Sequence, residues 1–479
     1  MAVDYDLIVV GSTPTAICAV TLAAHLKARV ALVQHSASGD LVDSRIVQQV
    51  GQLRQCHHHM QNWNLQQPSL PGVTVNWLQM QRLADTARSI MADCQSPARL
   101  STLGIEVIPG RGEFCRKPAV GLRVGHRLLR SRAYLLALPA IPLIPAIEGL
   151  AAGRYITAAT LLSKGYSLLQ HSSTVTILGA DPIGVELAQS LTNLGKQVQL
   201  IVPSPRILPL EDPEAAYLVQ AKLEAEGIHL LTHSTLRGMV QNPDGQQLYL
   251  SGSDKRTVTT DVLILATGWG YDLASLNLDA VGVVWEGHHL QVNAKLQTSN
   301  PQVYAAIPPQ GSHPSTHSPI DLAHIAVKNA LFFPRLQVQD VAPRVVKTSP
   351  EFASVGLTEP QVQQHFTEQA VEIVQRSFHT PLLETESLSF CKLLVKPDGR
   401  LLGAALVGPQ AGAAIGAIAL ALQRHLPVTA LATAIFPPST LGELIAHTAQ
   451  DWQRHRLKRR PWRQNWLQAW FDWQRGRSS

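Results

Sequence analysis

Val175-Thr-Ile-Leu-Gly179-Ala-Asp181-Pro-Ile-Gly184-Val-Glu186 is followed by a helix-patterned run to Leu194-Gly195 and then by Gln197-Val-Gln-Leu-Ile-Val202. The opening residues are a short apolar strand. The turn carries Gly179 and Gly184, the next segment is an amphipathic helix, and the last is a second strand. Such a βαβ unit lays a dinucleotide's diphosphate on the helix N-terminus, where unpaired amides and the helix dipole face the ligand. This stretch decides the fold class, which is α/β.

Working outward, the same pattern recurs near the start of the chain. Tyr5-Asp-Leu-Ile-Val-Val10 is a buried strand, Gly11-Ser-Thr13-Pro14-Thr-Ala16 the turn, Ile17 to Lys27 the helix, and Val30 to Gln34 the next strand. A chain of 479 residues at 45% hydrophobic is long enough for three ordinary domains. It contains no apolar run of bilayer-spanning length. No signal-peptide pattern precedes the first strand. The cysteines are Cys18, Cys56, Cys94, Cys115 and Cys391, an odd set with no short redox or metal spacing. A cytoplasmic location is expected. The net charge of +6 is unevenly placed. From Asp451 onward stand Arg454, Arg456, Lys458, Arg459, Arg460, Arg463, Arg475 and Arg477 against Asp451 and Asp472, so the body is neutral.

Ile183-Gly184-Val185-Glu186, Leu194-Gly195, Arg206-Ile-Leu-Pro209 and Ala266-Thr267-Gly268 follow in order. Ala353-Ser-Val-Gly-Leu-Thr-Glu359 and Leu402-Gly-Ala-Ala-Leu-Val-Gly408-Pro409 come later. On these motifs the chain resembles the pyridine nucleotide-disulfide oxidoreductases, the family of dihydrolipoamide dehydrogenase and mercuric reductase. The resemblance implies two Rossmann-like FAD/NAD(P)-binding-type domains and a C-terminal α+β dimerisation domain. The expected boundaries are 1–150 for the first part of the FAD-type domain, 151–275 for the NAD(P)-type domain, and 276–342 for the return to the first. Residues 343–450 are the dimerisation domain and 451–479 a basic, Trp-rich tail. The implied cofactors are FAD and NAD(P), and the implied assembly is a homodimer in which an apolar face such as Ile415 to Leu422 meets its twin.

The contact positions depart from that pattern. Candidate cofactor residues are Gly11, Thr13, Gln34 and His324 in the first domain, with Gly179, Asp181, Gly184, Glu186 and Gly268 in the second. Thr13 and Asp181 stand where a glycine would let backbone approach the diphosphate. Each precedes a proline and is expected to cap its helix with a side-chain oxygen. A shifted turn that still binds is the alternative. A diphosphate beside an ionised Asp181 at about 4 Å would meet a repulsion of roughly 4 kcal/mol at an effective dielectric of about 20. Gln34 and Val202 replace the two acids that would hold ribose hydroxyls.

His35 to Val50, where the family carries a redox disulfide opening a helix, contains no cysteine. The strand leaving the first domain reads Ala137-Leu138-Pro139 where the family has Ala-Thr-Gly. Ile307-Pro308 replace a Gly-Asp that holds the flavin's ribityl region. In Phe436-Pro-Pro438-Ser-Thr-Leu-Gly-Glu443, Glu443 is the remnant of a catalytic His–Glu pair, and Pro438, which has no titratable group, stands at the imidazole. Cys56-His57-His58-His59-Met60 is a histidine-rich run. Consecutive helical positions diverge by about 100°, so no metal site is assigned there.

Two classes of function are compatible with this pattern. The first is a non-catalytic or repurposed dimeric protein with weakened FAD and NAD(P) binding. The second is an FAD-dependent NAD(P)H oxidoreductase that works without a redox disulfide. The tail offers either a contact with an anionic membrane surface or an arm packed on the other subunit. No nucleic-acid partner is expected, because the body has no basic excess.

Overall fold

The computed structural model describes residues 3–35, 41–62, 75–94, 96–116, 120–242, 245–252, 256–308, 318–339, 341–366, 370–380, 387–458 and 469–475. Contacts divide the chain into two compact units, residues 1–207 with 223–340, and residues 208–222 with 341–479. The architecture is α/β in the first and α+β in the second.

The first unit holds two parallel sheets. In one, the strands run Val303–Ala305, Ser131–Leu136, Tyr5–Val10, Val30–Gln34, Glu106–Pro109. In the other they run His229–Leu231, Gln197–Ile201, Thr174–Leu178, Val262–Leu265, Tyr155–Thr157. The strands are near-continuous apolar runs because both sheet faces are covered: in the first sheet helices pack on the face of Leu7 and Val9 and short antiparallel strands on the face of Ile8 and Val10, and in the second antiparallel strands cover the face of Leu178 and Ile201. Each βαβ helix starts immediately after the turn, at Pro14 and at Pro182. Proline is favoured there because its missing N–H is one the helix cannot pair.

Glu106–Pro109 joins the parallel sheet beside Val30–Gln34, and Gly112–Cys115, Gly121–Val124 and Arg127–Leu129 form an antiparallel meander. Arg256–Thr260 and Val262–Leu265 are consecutive strands in different sheets. The chain turns between them at Asp261, whose carboxylate accepts the amides of Ser173 and Thr174 at 2.7 and 2.8 Å and so ties the corner down. One expectation is corrected, that for Ile415 to Leu422. Ile415, Ile418, Ala419, Ala421 and Leu422 are buried in the second unit's own core, and Leu420, 54% exposed, points away. The unit's five-stranded antiparallel sheet needs that helix face for its own core.

That sheet runs Arg344–Val346, Glu351–Gly356, Leu401–Gly408, Ser387–Val395, Glu372–Thr380. Lys392 lies on its fourth strand with a side chain 1% exposed. Its ammonium meets Asp212 at 3.1 Å, Glu214 at 3.0 Å, and Glu359. Beside it Arg344 pairs with Glu211 at 2.8 Å, and Ser354 donates to the same carboxylate at 2.7 Å. Residues 208–222 therefore belong to this unit through paired charges as well as contacts. Burial alone would lower the Lys392 pKa, but the carboxylates around it outweigh that and raise it above 10.5.

A buried cation gains stability only while its partners remain. Lys392→Met should destabilise the protein by roughly 3–5 kcal/mol, seen as a lower urea midpoint, because it strands the carboxylates. The folded-state pKa is raised, so this stabilisation is complete below the unfolded value and is lost as pH rises through the folded one. A midpoint unchanged by the substitution would contradict the assignment.

Candidate functional site

Both phosphate turns keep the glycines that the backbone needs. A Cβ on Gly11 would lie 2.0 Å from the Ala137 carbonyl oxygen, and one on Gly179 would lie 2.0 Å from that of Ala266. A Cβ on Gly184 would meet the Gly179 oxygen at 2.3 Å. These contacts are internal to the fold: strand, turn and helix cannot cross otherwise. The two positions that no longer carry glycine, Thr13 and Asp181, are the ones that face a diphosphate in a Gly-x-Gly-x-x-Gly turn.

The two replacements behave differently. Thr13 caps its helix as expected: its hydroxyl accepts from the Ala16 amide at 3.1 Å and donates to the Ala137 carbonyl at 2.9 Å. One amide that could have held a phosphate is thereby taken. Asp181 has extended cap geometry but makes no capping hydrogen bond, which corrects the expectation of self-capping there. Capping needs only an acceptor, which a carboxylate is; what an ionised Asp181 lacks is the proton with which Thr13 also ties its side chain to a carbonyl. Burial without compensation pushes the Asp181 carboxyl above its usual range.

Gln34 ends its strand half-buried, and Val202 is fully buried, so neither strand-end position itself carries an acid. The next residue, His35, was not singled out by sequence. It is 2% exposed, its Nε2 lies 3.3 Å from the Ser275 hydroxyl, and its buried Nδ1 has no hydrogen-bond partner among the described residues. Burial lowers its pKa below 6.5, with Asp272 opposing and Arg111 reinforcing the shift. Glu186 lies half-buried on the helix Pro182–Asn193. Gly268 has φ +104°, and its neighbour Thr267 donates to the Leu143 carbonyl at 2.6 Å. His324 is exposed on the helix Pro319–Leu331, and Ile307 is buried.

The helix Val42–Asn62 opens where the family carries its redox disulfide. Its first turn is fastened by polar contacts that sequence reading missed. Asp43, fully buried, accepts the amides of Leu162 and Ser163 at 2.8 and 2.9 Å and pairs with Arg88. Ser44 donates to the Ala158 carbonyl. A signal existed in Asp43-Ser44, a pair suited to accept and donate at a helix start. The helix extends through His57, His58, His59 and Met60, whose side chains lie outside the described residues. No group of three or more His, Cys, Asp or Glu side chains among the described residues is placed to hold a metal.

In the second unit Glu443 sits in the first turn of the helix Leu441–Lys458. It accepts the Ser439 amide at 2.7 Å, and its own amide meets the Thr440 hydroxyl at 3.4 Å. That is a capping arrangement. Pro438 beside it is exposed.

Residues 5–328 match the family model of pyridine nucleotide-disulphide oxidoreductases, and residues 342–449 match that family's dimerisation domain. The chain belongs to this family, whose members bind FAD and NAD(P). It is 26% identical to the mercuric reductase of Staphylococcus aureus over 455 residues, covering 92% of this chain and 81% of that protein. It is 35% identical to the dihydrolipoyl dehydrogenase of Thermus scotoductus over 288 residues, covering 57% of this chain and 60% of that protein. In fold it is similar to the HOCl-induced flavoprotein disulfide reductase RclA from Escherichia coli, with a TM-score of 0.76 at 19% identity over 93% of this chain and 99% of that one.

His35 makes the first site's pH response measurable. Its pKa is lowered in the fold, so protonation favours the unfolded chain, and stability should fall as pH drops below 6.5 toward the folded value. Urea midpoints from pH 7.5 down to about 5.5 should show this loss, and His35→Gln should flatten it. Parallel profiles for the two proteins would place the titration elsewhere.

Proposed function

We propose that this chain is a non-catalytic or repurposed dimeric member of its family that lacks disulfide reductase chemistry. The observation that carries the reading is the absence of cysteine from His35 to Val50. No thiolate pair can exchange electrons with a flavin there. Two structural features support it. Asp43 and Ser44 use that helix start for packing contacts. Glu443 caps a helix beside Pro438, which cannot move a proton to or from a thiol.

FAD and NAD(P) binding is weakened in this reading. The first turn spends the Ala16 amide on Thr13, and the second places an uncompensated carboxylate where a diphosphate would rest. The second reading, an FAD-dependent NAD(P)H oxidoreductase without a dithiol, has one observation in its favour. The turn glycines Gly11, Gly179 and Gly184 and the frame around them are intact. Colour separates the two readings, since a flavoprotein isolated under native conditions is yellow.

With lipoamide or another small disulfide and either nicotinamide cofactor, no turnover is expected, even when FAD is supplied. Turnover that Cys56→Ser abolishes would relocate the redox centre and overturn the proposal. Asp181→Gly with Val202→Glu should strengthen NADH binding at least about tenfold, by removing a like charge and restoring a ribose acceptor. Micromolar NADH affinity in the unaltered protein would sink the argument from Asp181. The dimerisation domain predicts a homodimer, so light scattering at low micromolar protein should give twice the chain mass.

A further inference from the structure

The antiparallel sheet of the second unit ends on the strand Glu372–Thr380. Its inner edge pairs with Ser387–Val395 without a bulge, from Glu372 against Val395 to Thr380 against Ser387. Its outer edge faces no other strand. Alternate N–H and C=O groups along such an edge point outward, and a row of them is a template for a further strand. Natural edges are blunted by proline, by a bulge or by a charge set on the strand. Glu372-Ile-Val-Gln-Arg-Ser-Phe378 contains no proline, and its one cation, Arg376, is drawn off to Asp451 at 2.8 Å. Ile373 and Phe378 stay 42% and 49% exposed.

A cavity of about 530 Å³ lies against this strand at Ile373, Val374 and Gln375. Its other walls come from both faces of the sheet. Gln375 stands opposite Lys392 and so shares its face, and it reaches Glu214 at 3.5 Å. Glu214, Glu359 and Lys392 line the cavity on that side. Val374 and Arg376 point to the other face, where Val374 joins the core and Arg376 meets the helix Leu441–Lys458. Asp451 and His455 of that helix line the cavity there. A space reached from both faces of a sheet runs along the sheet's edge. The cavity is therefore a groove beside the unpaired backbone, with a volume in the range of ligand sites. Residues 459–468, beyond the helix, lie outside the described residues and take no part in it.

The walls of the groove are acidic. Asp212, Glu214, Glu359 and Asp451 stand against Lys392 and Arg376, with Arg454, two-thirds exposed, touching Asp451 at 3.2 Å. Lys392 is shared by three carboxylates, so negative charge is left over, and Glu214, 49% exposed, presents it to solvent. These ion pairs build the walls and leave the strand's outer backbone unoccupied. Among the described residues no backbone hydrogen bond joins residues 373–378 to anything but the neighbouring strand. A second copy is a poor occupant, because edge-to-edge pairing sets two acidic grooves against each other, and facing like charges are destabilising. A basic extended segment gains both the main-chain bonds and the charge.

We propose that the groove along residues 373–378 docks an extended, Lys- or Arg-bearing segment of a partner protein, which joins the five-stranded sheet as a further strand. The segment's backbone pairs with the outer edge. Its basic side chains meet Glu214 and Glu359 on one face and Asp451 on the other, and its apolar ones cover Ile373 and Phe378. This inference stands whether or not the chain is catalytic.

The test titrates the full chain against a blocked, dye-labelled peptide of valine, threonine and lysine that matches the strand in length, read by fluorescence anisotropy. Saturable binding is expected. It should weaken at least about tenfold when glutamate replaces lysine, and as much when proline replaces alternate residues and removes the N–H groups that pair. Bound peptide should slow hydrogen exchange of the outward-pointing amides within residues 373–378. Two variants should keep the circular dichroism and oligomeric mass of the parent. Glu214→Gln should lose about threefold in affinity by removing an exposed wall charge. Ile373→Lys should lose at least about tenfold by setting a cation on the edge. No saturable binding of the lysine peptide, equal affinity for the glutamate or proline peptide, equal affinity in the Ile373→Lys protein, or unchanged exchange over residues 373–378 overturns the proposal. Slow exchange of every amide there in the free protein also overturns it, since the edge is then already covered by the chain itself or by a second copy.

Discussion

The first unit depends on a contact too close for any side chain. At both βαβ turns the glycine that ends the strand lies against a carbonyl of the neighbouring strand's extension, Gly11 against Ala137 and Gly179 against Ala266. A methyl group at either place would sit 2.0 Å from that oxygen, far inside van der Waals contact, so neither turn could form. Two parallel sheets, the helices that cover them and the clefts at the strand ends follow from this one constraint. It also explains how a chain can keep the frame while its contact residues change. The glycines required by backbone crossing and those required by a diphosphate are different residues.

The structural glycines remain, and the other positions have taken on new physical work. Thr13 gives its hydroxyl to one carbonyl and takes one amide, so it closes the turn on itself. Asp181, in the equivalent place, cannot donate and stays desolvated without a capping bond. Two residues in equivalent places therefore differ in consequence: Thr13 caps its helix and Asp181 does not. The helix start at Asp43 is a third case, where a buried carboxylate is satisfied by two amides and an arginine.

In the second unit a single buried lysine organises charge from segments far apart in sequence. Lys392 gathers Asp212, Glu214 and Glu359, and the Glu211–Arg344 pair lies alongside. A cation this buried is tolerable only because several acceptors surround it. Residues 208–222, which sequence motifs assign to a nucleotide-binding domain, are by contact and by charge part of the dimerisation-type unit.

Much of this was legible in the chain itself. Apolar strands followed by Gly-bearing turns fixed both βαβ units, because local sterics and periodicity act over a few residues. That no cysteine stands between His35 and Val50, and that position 438 is a proline, are likewise facts of sequence. Other features needed the fold. Whether Asp181 caps its helix depends on how the folded turn sets its side chain, and whether Ile415 to Leu422 faces inward depends on a sheet built from 344–408. Two of the three carboxylates around Lys392, Asp212 and Glu214, come from more than a hundred positions away. Sequence determines what is local: backbone permission, periodicity and the presence of a reactive group. Tertiary structure decides the partners of buried polar groups, because desolvation makes their pairing obligatory and only the packed chain supplies the partner.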